Sequence, residues 1–216
     1  RFDAHAGVYN AKIINSTVAC FRIIGGGEIR MPGEENAPDQ DVYPEGSFTE
    51  IANLCKSRNI RLSDYVFEHE APDFRDFLGH VWHTMQAAIR DGLSHTGTLP
   101  GGLGVTRVAQ LLYNRGHIDE RPETRENRMV CAYAFAVSEQ NAGGGEIVTA
   151  PTCGSAGVLP AVLYYQQKKR GYGDTDIIHA LEAGGVIGNG ACAALGLPEG
   201  YAINFLLLGM AGLFAG

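Results

Sequence analysis

Between positions 73 and 91 apolar residues recur at three- and four-residue intervals: Phe74, Phe77, Leu78, Val81, Met85, Ala88 and Ile89. That spacing gathers the side chains on one face and predicts an amphipathic helix stopped by Gly92. Upstream, Ser47 and Glu50 stand at capping-box spacing ahead of Ile51 and Leu54, so a helix is expected from near Phe48 to near Arg58. Further helices are expected over 105–113, 125–140, 160–169 and 174–186, with the second of these running into Gly143-Gly-Gly145. Residues 9–24 read differently. They are short and β-branched-rich, with Ile13, Ile14, Val18 and Phe21-Arg-Ile-Ile24 ending at Gly25-Gly-Gly27, which predicts one or two strands. Residues 31–44 carry Pro32, Pro38 and Pro44 with several acids, the composition of a linker. The expected fold class is a mainly α helical domain preceded by a short α+β or β remnant. Residues 201–216 are uncharged and apolar but fall short of the roughly 20 residues that a membrane span needs, so a core helix is expected there.

Composition narrows the functional classes. A net charge of -7, with Lys168-Lys-Arg170 as the only dense basic run, gives no footprint for nucleic acid. The five cysteines, at 20, 55, 131, 153 and 192, form no CxxC pair and no disulfide framework, which points to a reducing compartment, the cytoplasm. The chain opens Arg-Phe-Asp without an initiator Met or an apolar leader, so a fragment or processed piece is expected. Glycine is high, at 29 of 216, and concentrated from Gly92 onward, which predicts tight turns and close backbone approaches.

The stretch from Gly143 to Gly157 carries the clearest chemistry. A short strand over 146–150 is expected to meet a turn built from Pro151, Gly154 and Gly157, then a helix holding Pro160 in its first turn. Such a turn aims backbone amides at one point, and the hydroxyls of Thr149, Thr152 and Ser155 add donors, so a small carboxylate could be held there. A plain strand-to-helix turn would use the same residues.

Several blocks in order resemble the single-chain bacterial iron-sulfur L-serine dehydratases. They are Ile24-Gly-Gly-Gly27, Tyr43-Pro44 leading to Thr49-Glu50-Ile51, Val81-Trp-His-Thr-Met-Gln86, Thr98-Leu-Pro-Gly101, Ala136-Val-Ser-Glu-Gln-Asn141, and Val148-Thr-Ala-Pro-Thr-Cys-Gly154 through Pro160-Ala-Val-Leu163. The resemblance implies a lyase with a three-cysteine [4Fe-4S] cluster, whose open iron binds the L-serine hydroxyl while a base removes the α-proton. Elimination gives aminoacrylate, which hydrolyses to pyruvate and ammonia, without pyridoxal phosphate. On this resemblance 1–30 would end a small α+β domain, 31–45 would be the linker, 46–189 the helical catalytic domain, and 190–216 a divergent apolar tail.

The implied site assigns Thr152 and His83 as catalytic, and Thr149, Thr152, Gly154, Ser155 and Asn141 as substrate-binding. Cys153 and Cys192 are the candidate cluster ligands, while Cys20, Cys55 and Cys131 are expected in the core. Asn141 has two open readings, a helix C-terminal cap or a substrate contact. His80 shares a helix face with His83, a weak metal signal. The implied partners are L-serine and further copies of the chain, with neither nucleic acid nor membrane. Two departures stand out. Ala156 occupies a position where relatives usually carry cysteine, and the family's later Asn-Ala-Ser and Gly-Cys-Gln-Gly-Glu segments have no counterpart here, nor does its N-terminal Ser-Ser-Ser-His-Thr motif. A chain lacking serine dehydratase activity is therefore expected. The alternatives are an inactive fragment or degenerate paralogue, or a non-enzymatic small-anion binding domain.

Overall fold

The computed structural model describes residues 8–13, 16–23, 29–30, 43–116, 118–148 and 153–195, with side chains over 43–116, 118–148 and 156–188. It is mainly helical: α1 (Phe48–Arg58), α2 (Leu62–His69), α3 (Phe74–Ser94), α4 (Ala109–Asn114), α5 (Pro122–Ala142), α6 (Cys153–Arg170) and α7 (Asp174–Leu195). Ahead of the helices, β1 (Val8–Ile13), β2 (Ser16–Ile23) and β3 (Ile29–Arg30) form an antiparallel sheet in that order. From residue 43 onward, among the described residues, the helices are joined by loops holding only the isolated bridge between Thr98 and Thr106. Most of the expected linker and the segment 201–216 lie outside the described residues.

Local chemistry explains α1 from end to end. The Ser47 hydroxyl accepts the Glu50 N–H at 3.3 Å, and the Glu50 carboxylate reaches back to the Gly46 N–H at 3.0 Å. The helix closes on Asn59, whose φ of 52° is left-handed and whose N–H returns to the Cys55 and Lys56 carbonyls. Helix α2 was not expected, because its eight residues are too few for the apolar period to show. It nevertheless supplies Tyr65 and Val66 to the core.

Four expected boundaries move. Gly92 does not stop α3 but lies buried inside it, where a Cβ would stand 2.2 Å from the Ala136 carbonyl oxygen of α5. Residues 105–108 are not helical. They form the second arm of a hairpin over 97–107, in which Leu99 N–H bonds Val105 O and Arg107 N–H bonds Gly97 O, each at 2.8 Å. Gly101 (φ 119°) and Gly104 (φ 63°) take left-handed conformations that its turn requires. The strand expected over 146–150 is absent from 146–148, and α6 begins at Cys153, so Gly154, Ser155 and Gly157 are helical and Pro160 lies inside the helix. The physical reason is packing: Gly157 lets α6 approach α5 so closely that a Cβ there would meet Ala134 O at 2.8 Å. Finally, α7 runs nine residues beyond 186, to Leu195.

Among the described residues two apolar clusters form the core. Trp82, Met85 and Ile89 of α3 pack with Tyr133 and Val137 of α5 and with Leu159 and Leu163 of α6. Ile51, Cys55, Tyr65 and Val66 pack with Val186. Helix α7 joins both clusters, through Ile177 at one end and Val186 at the other.

Candidate functional site

The Val81–Gln86 block has one destination, the Asp174 carboxylate at the start of α7. Fully buried Trp82 donates its Nε1–H to Asp174 Oδ1 at 2.9 Å. Gln167 Nε2 reaches the same oxygen at 2.8 Å, and Gln86 Nε2 donates to Gln167 Oε1 at 3.1 Å. His83 Nε2 stands 4.0 Å from Asp174 Oδ2, with its imidazole largely exposed. The hydrogen bonds from Gln167 and Trp82 favour the ionised form and hold Asp174 below the ordinary carboxylate range. The cluster ties α3, α6 and α7 together.

The Ala136–Asn141 block, at the end of α5, holds the parts that lead toward the glycine segment. Ala136 presents its carbonyl to Gly92, and Ser138 Oγ lies 3.0 Å from the position a Gly157 Cβ would take. Gln140 accepts the Gly145 N–H at 2.8 Å. Glu139 is buried, and its Oε1 accepts the N–H groups of Val108 (2.5 Å) and Ala109 (3.1 Å), which begin α4. Its Oε2 is buried without a partner. Asn141 is exposed in the last turn, where its backbone carbonyl accepts the Gly144 N–H at 3.2 Å, while the C-cap position belongs to Gly143.

The predicted site residues separate into two places. Gly157, in the first turns of α6 that also carry Gly154 and Ser155, stands against Ala134 and Ser138 of α5, the helix whose last turn carries Asn141. His83 does not join them: Gln86 of its block bonds Gln167 of α6, and Cys153 lies about 21 Å farther along that helix. Thr149 and Thr152 lie outside the described residues, as do the side chains of Cys153, Ser155 and Cys192. Along α3, α7 passes Trp82, then Gly79 beside Ile178, then Arg75 beside Glu182. It therefore carries position 192 beyond the N-terminal end of α3, whereas α6 carries position 153 toward the C-terminal end. Glu139, Arg107 and Asp174 were missed in the sequence. Glu139 alone left a legible signal, a charged residue on the buried stripe with Ala132 and Ala136.

The family model for the serine dehydratase alpha chain matches residues 34–194. This chain belongs to that family. The L-serine dehydratase of Streptomyces coelicolor is 34% identical over 152 residues, 68% of this chain and 33% of that protein. The L-serine dehydratase of Haemophilus influenzae is 38% identical over 157 residues, covering 67% of this chain and 34% of its own length. L-serine dehydratase 2 of Escherichia coli is 34% identical over 159 residues, again 67% of this chain and 34% of that protein. The chain thus spans about a third of the length of the curated relatives it matches. The matched range takes in residues 190–194, and with them Cys192.

The cluster implied by the resemblance can be tested against the cysteines. Cys55 is buried among Ile51, Tyr65 and Val66, where burial pushes its thiol up, the opposite of what a thiolate ligand needs. Cys131 is exposed on α5 rather than in the expected core. Among the described residues no group of three His, Cys, Asp or Glu could hold a metal ion, a result that covers His80 and His83. The side chains of Cys153 and Cys192 lie outside the described residues, and no chemical step is derived through a cluster. No helix among them is long and apolar enough to cross a membrane.

Proposed function

We propose that this chain is the helical catalytic part of an L-serine ammonia-lyase and that its substrate-carboxylate site lies in residues 149–157. The observation that carries this reading is the serine dehydratase alpha chain match over 34–194, which takes in that segment. The geometry of α5 supports it. Gln140 holds Gly145 at one end of the 146–152 link, while Ala134 and Ser138 hold Gly157 just beyond the other. Amides at the start of α6, with the Thr149, Thr152 and Ser155 hydroxyls, would receive the carboxylate. Asn141 would stand beside it, and Thr152 is the side chain proposed to touch the reacting part of serine. The reaction is loss of water from L-serine, then hydrolysis to pyruvate and ammonia, in a cytoplasmic, self-associating protein with its small β-rich unit at 1–30. The [4Fe-4S] chemistry of this reading would draw its thiolates from Cys153 and Cys192, and Ala156 stands where relatives usually carry a cysteine. After anaerobic reconstitution the chain should bind less than one cluster and form no pyruvate.

Titration with L-serine, followed by amide shifts, tests the site. Saturable shifts within 143–157, stronger for L- than for D-serine, are expected. Shifts confined to other residues would refute it. Acetate binding as tightly as L-serine would count against this reading and for a small-anion binding domain without catalysis.

A further inference from the structure

Glu139 and Arg107 cap each other's helices. Val108 and Ala109 begin α4, and their N–H groups both point at Glu139 Oε1, at 2.5 and 3.1 Å. Arg107, the residue just before them, sends Nη1 back to the Glu139 carbonyl at 3.3 Å, and that carbonyl also takes the Gly143 N–H at 2.9 Å. A carboxylate thus sits at the positive end of α4 and a guanidinium at the negative end of α5, the favourable sense for both dipoles. The fit is close, because a Cβ on Gly143 would stand 2.6 Å from Arg107 Nη2.

This clamp joins two segments that lie far apart in sequence. One is the hairpin 97–107, which closes through Arg107 N–H to Gly97 O at 2.8 Å and leaves Leu103 92% exposed. The other is Gly143–Gly145, from which the chain passes through 146–152 into α6. Glu139 Oε2 has under 1 Å² of accessible surface and no partner, so the carboxylate cannot meet a ligand directly. Whatever it does for a ligand it does through the backbone it holds.

We propose that Glu139 is a positioning residue for the small-carboxylate site, fixing hairpin 97–107 and the 143–145 end of the link in one register through its reciprocal clamp with Arg107. The proposal rests on the carboxylate-site reading above. A carboxylate received by backbone amides depends on where those amides are held, so a slack link should weaken binding even when the helical core stays folded.

The test uses the full chain, with amide hydrogen exchange and L-serine titration as independent readouts. Glu139→Ala should speed exchange at Val108 and Ala109 and weaken L-serine binding by about tenfold or more, the loss expected for charge-assisted hydrogen bonds. Amides of the core, such as Ile89 and Leu163, should exchange as before. Glu139→Gln keeps an acceptor oxygen and should retain the affinity within about threefold. Gly143→Ala, which displaces the Arg107 guanidinium and crowds the Glu139 carbonyl at 3.1 Å while keeping the Glu139 carboxylate, should weaken binding in the same way and serves if Glu139→Ala fails to fold. Unchanged exchange at Val108 and Ala109 in Glu139→Ala would overturn the clamp. Faster exchange with undiminished L-serine binding would overturn its positioning role. An unmutated chain that does not bind L-serine would instead overturn the carboxylate-site reading, and the exchange data would still decide the clamp.

Discussion

A methyl group on Gly92 would stand 2.2 Å from the Ala136 carbonyl oxygen and 2.5 Å from its carbon. Backbone cannot swing aside as a side-chain tip can, so Gly92→Ala should push α3 from α5 and cost about 1–3 kcal/mol or more. A lower urea midpoint at unchanged slope would measure it. The apolar stripe that includes Gly92 is legible in the sequence, but the glycine's role is not, because a helix stop and a close approach use the same residue. Asp174 shows a similar limit. Its neighbours in space, Trp82, Gln86 and Gln167, lie on two other helices, and no periodicity connects them. Its folded-state pKa is depressed, so its contribution is fully present above the unfolded value near pH 4 and is lost as pH falls toward the folded one. Asp174→Asn should therefore be less stable than the unmutated chain by a constant margin above about pH 4, and that margin should shrink below it. Urea titrations between pH 7 and 2.5 would follow the margin.

At the scale of elements, legibility follows the range of the forces that set each boundary. Helix α1 is bounded by Ser47, Glu50 and Asn59, all within or beside it, and its limits can be read from those residues. Ser47→Ala should cost about 1 kcal/mol by removing the cap, measured as a shift in thermal or urea midpoint. Helix α6 is the opposite case. Its glycines, Ser155 and Pro160 look locally like a turn followed by a first helical turn. The start at Cys153 follows instead from contact between Gly157 and α5, which only the folded chain supplies. The 105–113 region fails for a related reason, since the pairing of Val105 with Leu99 takes residues that a helix would otherwise claim. The candidate site was legible as a segment, through its glycines and hydroxyls, but the supports that hold it were not. Glu139 acts on residues some thirty positions upstream.

Across the whole molecule, α3 is the shared partner, packed against α4, α5, α6 and α7, while α7 leaves it to meet α1 and α2. A mainly helical class follows from the apolar periods, but this arrangement depends on pairs such as Arg75 with Glu182, 107 residues apart. The single tryptophan of the chain sits on the seam between α3 and α7, fully buried and bonded to Asp174. It lies ten residues, about 15 Å, from Gly92, where α3 closes on Ala136 of α5. Its fluorescence is therefore a built-in optical probe of one seam, blind to the other end. L-serine titrated to saturation should leave the emission maximum unchanged, whereas acidification that protonates Asp174 should shift it to the red. A shift on adding L-serine would reveal that the two ends of α3 move together.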